Sequence, residues 1–356
     1  MRITLVLLAL VGLVSCTKTS ERQAAVKTSP VIRKASKLVA PKNNSTFRFG
    51  EAINFEIETR NEVSIDSVTI EYPTERVTYE GDRFEWTPSS PRAGFPRIRL
   101  VVHMGESKES LYPKVRFLPS EAPKSYTYRL INTYPHDTDA WIQGLFIHED
   151  TLFEGTGRKG QSWVRKSDLQ TGKVYEELRI ADEYFGEGIA MHEDKIFQLT
   201  WQEHEAFVYD RNLKLLNTFQ FPTEGWGLTN FGDQLIMSDG SEKLYVMDPG
   251  SFAEVDRLEV YDNNEKIDQL NELEMIDGVL FANVWFEEYI VMIDPASGAV
   301  VGKLDLTGLL NTEGATNPEI VLNGIAYDTQ KQQLIVTGKL HPLLFEIEMV
   351  EKFPLN

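Results

Sequence analysis

One pattern recurs five times in the C-terminal part of this 356-residue chain, and it constrains the fold more than any other feature. Each unit opens on a short phrase: Gln143-Gly144-Leu145, Glu187-Gly188-Ile189, Trp226-Gly227-Leu228, Glu272-Leu273-Glu274 and Asn323-Gly324-Ile325. The openings lie 39 to 51 residues apart. A second apolar run follows in each unit, reading TLFEGT, KIFQLTW, QLIMSDG, VLFANVW and QLIVTGK. A third run follows that, and in most units it ends on Asp before a Gly-, Pro- or Asn-bearing stretch that suits a turn. Three to four short strands in a repeat of this length match one blade of a β-propeller, so five units predict five blades. The fifth unit ends near Val350 without an outer strand, and the run Tyr126–Tyr134 belongs to no unit. That run is expected to supply the missing strand and close the ring, which leaves no open sheet edge there.

Upstream, residues 37–119 alternate with period two. Ile53, Phe55 and Ile57 form one such series, Val63 and Ile65 another, then Val68 and Ile70, Phe84 and Trp86, and Ile98 and Leu100. Turn residues separate the runs at short intervals, which predicts an immunoglobulin-like β-sandwich of about seven strands with Trp86 in its core. A Pro- and Ser-containing linker (118–125) leads to the propeller domain at 126–356. The fold class expected is therefore all-β, a five-bladed propeller preceded by a small sandwich.

Residues 1–16 carry Arg2, then an apolar stretch from Leu5 to Val14, too short to span a bilayer as a helix. The stretch ends Leu13-Val14-Ser15-Cys16, similar to a bacterial lipobox, and Cys16 is the one cysteine of the chain. The expectation is export, removal of the signal peptide and a lipid on Cys16, with residues 17–36 as a polar tether. The alternative is an ordinary signal peptide with a chance cysteine. Lipidation would place the protein at the bacterial envelope, on the periplasmic or outer-membrane face, touching membrane through the anchor alone. A single cysteine excludes disulfides within the chain and cysteine-based zinc sites. The six histidines lack the spacing that sets two ligands on one helix face. A net charge of −18 argues against nucleic acid as a partner.

In a propeller the first strand of each blade lines the central channel, so Gln143, Glu187, Trp226, Glu272 and Asn323 should stack around one axis. The ends of the second strands add Thr156, Trp201, Asp239, Trp285 and Lys339. Aromatic walls with a few polar groups make a small-ligand pocket. The plainer readings are packing between blades for the tryptophans, and a buried ion pair for Glu272, Glu274 and Lys339.

Several phrases resemble the glutamine cyclotransferase family of the papaya-latex type. They are Ala140-Trp141-Ile142-Gln143-Gly144-Leu145, Phe185-Gly186-Glu187-Gly188-Ile189, Glu224-Gly225-Trp226-Gly227-Leu228, Leu270-Asn271-Glu272-Leu273-Glu274, Ala282-Asn283-Val284-Trp285 and Leu322-Asn323-Gly324-Ile325-Ala326-Tyr327. The resemblance covers about residues 127–350. It implies a five-bladed propeller, and conversion of peptides or proteins with N-terminal glutamine to pyroglutamyl products with release of ammonia. Carried across, Glu187 matches the catalytic acid/base. Gln143, Asn271 and Lys339 match polar pocket residues, and Phe185, Trp201, Trp226 and Trp285 match aromatic walls. Trp141 stands where the family often has Phe, and His341 where related sequences often have Trp. The resemblance implies a monomer with no cofactor and no catalytic metal, and leaves a structural calcium in the channel open. Lys339 and Asn271 are both candidates to hold a developing oxyanion, and Glu272 or Glu274 would take the catalytic role if Glu187 did not. A non-catalytic propeller binding peptide or glycan, and a propeller hydrolase or lyase with a channel metal, are the competing classes.

Overall fold

The computed structural model describes residues 34–60, 63–311 and 317–353. Cys16, the expected signal segment and almost all of the expected tether lie outside the described residues. Ala35–Asn356 form one compact unit, and there is no α-helix among the described residues.

The N-terminal part holds nine described strands, against about seven expected. Ser36–Ala40, Ile53–Thr59 and Arg83–Trp86 make one antiparallel sheet. Glu75–Glu80, Ser67–Tyr72, Arg99–Met104 and Ser107–Leu111 make a second, and Thr46–Arg48 pairs in parallel with Arg116–Leu118. The alternation explains the layering. Ile53, Phe55 and Ile57 from the first sheet and Val68, Ile70, Leu100 and Val102 from the second share one core with Trp86 and Phe117. Successive side chains of a strand point to opposite faces, so each sheet buries only one of its faces against the other. Val63 departs from expectation. It is exposed and belongs to no strand, because residues 63–66 run as irregular chain into Ser67–Tyr72.

Three four-stranded antiparallel sheets follow. The first is Ile142–His148, Thr151–Thr156, Trp163–Asp168 and Val174–Arg179; the second Gly186–His192, Lys195–Thr200, Glu205–Tyr209 and Leu215–Gln220; the third Leu228–Phe231, Gln234–Ser238, Lys243–Met247 and Glu254–Glu259. An eight-stranded sheet completes this part. Its order is Leu270–Ile276, Val279–Val284, Tyr289–Ile293, Val300–Asp305, Lys124–Pro135, Leu343–Glu351, Gln333–Gly338 and Leu322–Asp328. Lys124–Pro135 joins its halves, running parallel to Val300–Asp305 over three residues and antiparallel to Leu343–Glu351 over most of its length. The end strands Leu270–Ile276 and Leu322–Asp328 pack on each other, so the sheet is nearly closed.

The opening strands of the five units meet in cyclic order, each packed on the next and Leu322–Asp328 back on Ile142–His148. Their contact is close enough to explain the recurrent glycine. A Cβ on Gly188 would lie 2.5 Å from the Trp226 carbonyl oxygen, and one on Gly227 would overlap the Asn271 carbonyl oxygen. Four of the five opening strands also carry a register shift against their neighbour: at Gln143, at Glu187-Gly188, at Asn271-Glu272 and at Asn323-Gly324. An extra residue at such a bulge re-aims the side chains beside it.

The N-terminal sheets dock through residues 92–95. Arg92 forms a bidentate pair with Asp256 (2.8 and 2.6 Å), the Ala93 amide donates to the Ser297 carbonyl, and the Phe95 amide donates to Glu259. Ala93, Leu118 and Tyr261 pack together beneath these bonds.

Candidate active site

A cavity of about 170 Å³ opens where the bulged starts of the opening strands meet the ends of the second strands. Its apolar lining is Trp141, Phe185, Trp201, Trp226 and Trp285, and its polar lining is Gln143, Glu187, Asn271 and Lys339. The aromatic rings brace one another in pairs. Phe185 and Trp201 lie 5.5 Å apart and tilted, and Trp226 meets Trp285 edge-on at 5.5 Å. Gly240 is required behind this wall: its φ is +80°, and a Cβ there would strike the Trp226 indole.

The polar groups form a chain. Lys339 Nζ donates to Gln143 Oε1 at 2.5 Å, and Gln143 in turn hydrogen-bonds the Glu187 carboxyl. Asn323 Nδ2 fixes Gln143 from behind, donating to its Oε1 at 3.3 Å and to the Ile142 carbonyl at 2.9 Å. Glu187 is only 4% exposed. Burial pushes its pKa well above the ordinary carboxyl range, and the Glu224 and Glu203 carboxylates push the same way, while Lys339 and Gln143 oppose them. Burial lowers Lys339 to about 8, against the attraction of Glu187 and with help from Arg158. Burial thus raises the acid and lowers the base, which brings their proton affinities toward one another, the direction an acid–base site needs.

Glu224 heads one of the family phrases, yet the sequence assigns it no role. Its Oε2 accepts from both Trp201 Nε1 (2.8 Å) and Trp226 Nε1 (3.1 Å), and Gln202 Nε2 donates to its other oxygen. Burial raises its pKa, but the bonds from Gln202, Trp226 and Trp201 outweigh that and hold it below the usual value. One carboxylate therefore clamps two walls. Its place in that phrase, two residues before Trp226, was the signal that could have found it. Arg158 also borders the site, lying 3.9 Å over the Trp141 ring and paired with Glu319 at 2.6 Å.

Several register residues do not reach the cavity. Glu272 turns inward, accepting from the amides of Leu145 (3.3 Å) and Ile325 (2.9 Å), and so ties three opening strands together. Its neighbour Asn271 faces the cavity instead, because the register shift falls on this pair. Glu274 accepts from the Tyr327 amide and from Thr229 and faces a different cavity, lined also by His148, Met191 and Asn230. The plainer reading, a buried ion pair of these glutamates with Lys339, is not met among the described residues: Lys339 bonds Gln143 instead. Thr156 caps the Trp163 amide, and Asp239 binds Ser241 and Tyr245. His341 is buried off the cavity, bonded to the Leu310 carbonyl and packed on Phe345. Among the described residues, no group of three or more His, Cys, Asp or Glu side chains is placed to hold a metal ion.

Comparison with known proteins agrees with this geometry. The glutamine cyclotransferase family model matches residues 101–349. The chain belongs to the glutamine cyclotransferase family. It is 42% identical over 227 residues to a glutaminyl-peptide cyclotransferase of Arabidopsis thaliana, covering 62% of this chain and 70% of that one. The crystal structure of Myxococcus xanthus glutaminyl cyclase superposes with a TM-score of 0.62 at 35% identity, covering 65% of this chain and all of that one. Within the family match lie all nine lining residues, Glu224 and the whole ring of opening strands.

Proposed function

We propose that this chain is a glutaminyl-peptide cyclotransferase that closes N-terminal glutamine into pyroglutamate and releases ammonia, with Glu187 moving the proton. The observation that carries this reading is the buried carboxyl of Glu187 inside an aromatic cavity, linked through Gln143 to Lys339. The neutral α-amine of the substrate attacks its own γ-carboxamide carbon, forming the ring C–N bond. Glu187 takes a proton from that nitrogen and returns it to the departing amide nitrogen. The C–N bond to that nitrogen breaks, and ammonia leaves. An unperturbed α-amine has a pKa of about 7.7–8.0, so little help is needed to present it neutral. Lys339 or Asn271, both lining the cavity, would hold the developing oxyanion. The attack is intramolecular, and walls that fold the glutamine side chain onto its amine hold it in the reactive geometry. The chemistry is that of an acyltransferase, and we assign it to these side chains without a metal.

The cyclic packing of the five opening strands supports a five-bladed propeller at 126–356, with Lys124–Pro135 completing the fifth blade. The two sheets over one core support an immunoglobulin-like sandwich at 37–119. For Met1–Cys16 we retain the lipoprotein signal, which Cys16→Ser would test by releasing the protein from host membranes.

The deciding experiment is a coupled ammonia assay on a short glutaminyl peptide, with and without chelator. Turnover should resist chelation and fall about 10²–10⁴-fold in Glu187→Gln, the typical contribution of a general acid–base group. A folded Glu187→Gln with near-wild-type turnover would remove Glu187 from the mechanism. No ammonia from the wild-type protein would leave a binding protein only.

A further inference from the structure

The turn that follows each second strand contains a residue of positive φ: Arg158 (with Gly160), His204, Gly240, Phe286 and Leu340. The third unit meets this demand with glycine. The fourth meets it with phenylalanine, whose bulk disfavours the left-handed region. Phe286 is also 62% exposed. Neither the turn nor the core explains its choice. What the ring does touch is the site: it lies 4.5 Å from Trp285, which packs edge-on against Trp226. An apolar surface thus runs from the buried wall out to solvent without a break. Other parts of the rim are charged and already paired, Arg158 with Glu319 and Lys159 with Glu203.

A substrate held with its glutamine side chain and amine against Glu187 must leave the cavity through its first peptide bond. The side chain of its second residue then falls on the rim. We infer that Phe286, with the outer part of Trp285, forms a subsite for that second side chain and selects apolar residues, aromatic ones most strongly. This inference rests on the cyclotransferase reading of the cavity. An aromatic pair of this kind is worth about two- to tenfold in binding.

The test compares kcat/KM for glutaminyl-phenylalanine and glutaminyl-glycine amides in the wild type, Phe286→Ala and Phe286→Gly. The glycine variant suits the φ of +66° at this position and guards against a folding defect. The wild type should favour the phenylalanyl peptide, and both variants should lose about two- to tenfold of that preference, through KM for the phenylalanyl peptide. A preference unchanged in both variants, or absent from the wild type, overturns the subsite while leaving the cyclotransferase reading intact. A wild type that turns over neither peptide overturns both.

Discussion

Removing the Glu224 carboxylate should separate the two jobs that the structure gives it. Glu224 accepts two indole N–H bonds, at 2.8 and 3.1 Å. Hydrogen bonds to charged groups contribute about 1.5–3 kcal/mol each when shielded. Glu224 is half-buried, so water can replace part of what is lost, and the discounted total for the pair is about 1–2 kcal/mol. If both walls must be in place for substrate to bind, that is roughly a five- to thirtyfold rise in KM for Glu224→Ala. The second job is electrostatic. Glu224 is one of the charges that raise Glu187, so its loss should move the Glu187-controlled limb of the kcat/KM profile to lower pH. Glu224→Gln distinguishes the two. It keeps one oxygen to accept from the indoles but carries no charge, so it should shift the pH limb while raising KM far less than the alanine variant. The assay is initial-rate ammonia release from one glutaminyl peptide across pH. Glu224→Ala with KM within twofold of wild type and an unmoved pH limb would refute the clamp.

Gly227→Ala should destabilise the ring by about 1–3 kcal/mol, since its Cβ would overlap the Asn271 carbonyl and the strands must part; thermal unfolding should show a lower Tm together with a weakened KM. Arg92→Ala removes a bidentate pair to the part-exposed Asp256 and should cost about 1 kcal/mol, read as earlier loosening of the N-terminal sheets in hydrogen exchange at residues 92–118. Glu274 has a folded pKa raised by burial from 4.5 to about 8. Its contribution to stability is therefore full below about 4.5 and is lost as pH rises through 8, so wild type should weaken across that window relative to Glu274→Gln in denaturant titrations. A stability difference flat with pH would count against that assignment.

Local signals and long-range ones divided cleanly in this chain. The opening phrases could be aligned because a blade is one supersecondary unit, repeated with its own turn chemistry. That alignment placed Gln143, Glu187, Trp201, Trp226, Trp285 and Lys339 at equivalent positions, and the structure brings all six to one cavity. Alignment at two-residue resolution was its limit. Asn271 was carried to the pocket by family resemblance, while the register itself pointed to Glu272. A strand alternates faces with period two, so a single bulge decides which of two neighbours looks into the mouth.

The chain by itself thus determined the all-β class, the number of units, the strand that precedes them and most of the cavity's lining, because each is written in short-range periodicity and turn residues. Only the tertiary structure decided that Glu224 clamps Trp201 and Trp226, that Glu272 ties Leu145 to Ile325, and that residues 92–95 dock on Asp256, Glu259 and Ser297. Most of these contacts join residues far apart in the chain, and even the near one, Glu224 with Trp226, depends on how a loop turns. The bonds of Glu224 and Glu272 exist because the packing of successive units brings them within reach, and those of residues 92–95 because the N-terminal sheets dock on that assembly; no local pattern encodes which polar group meets which.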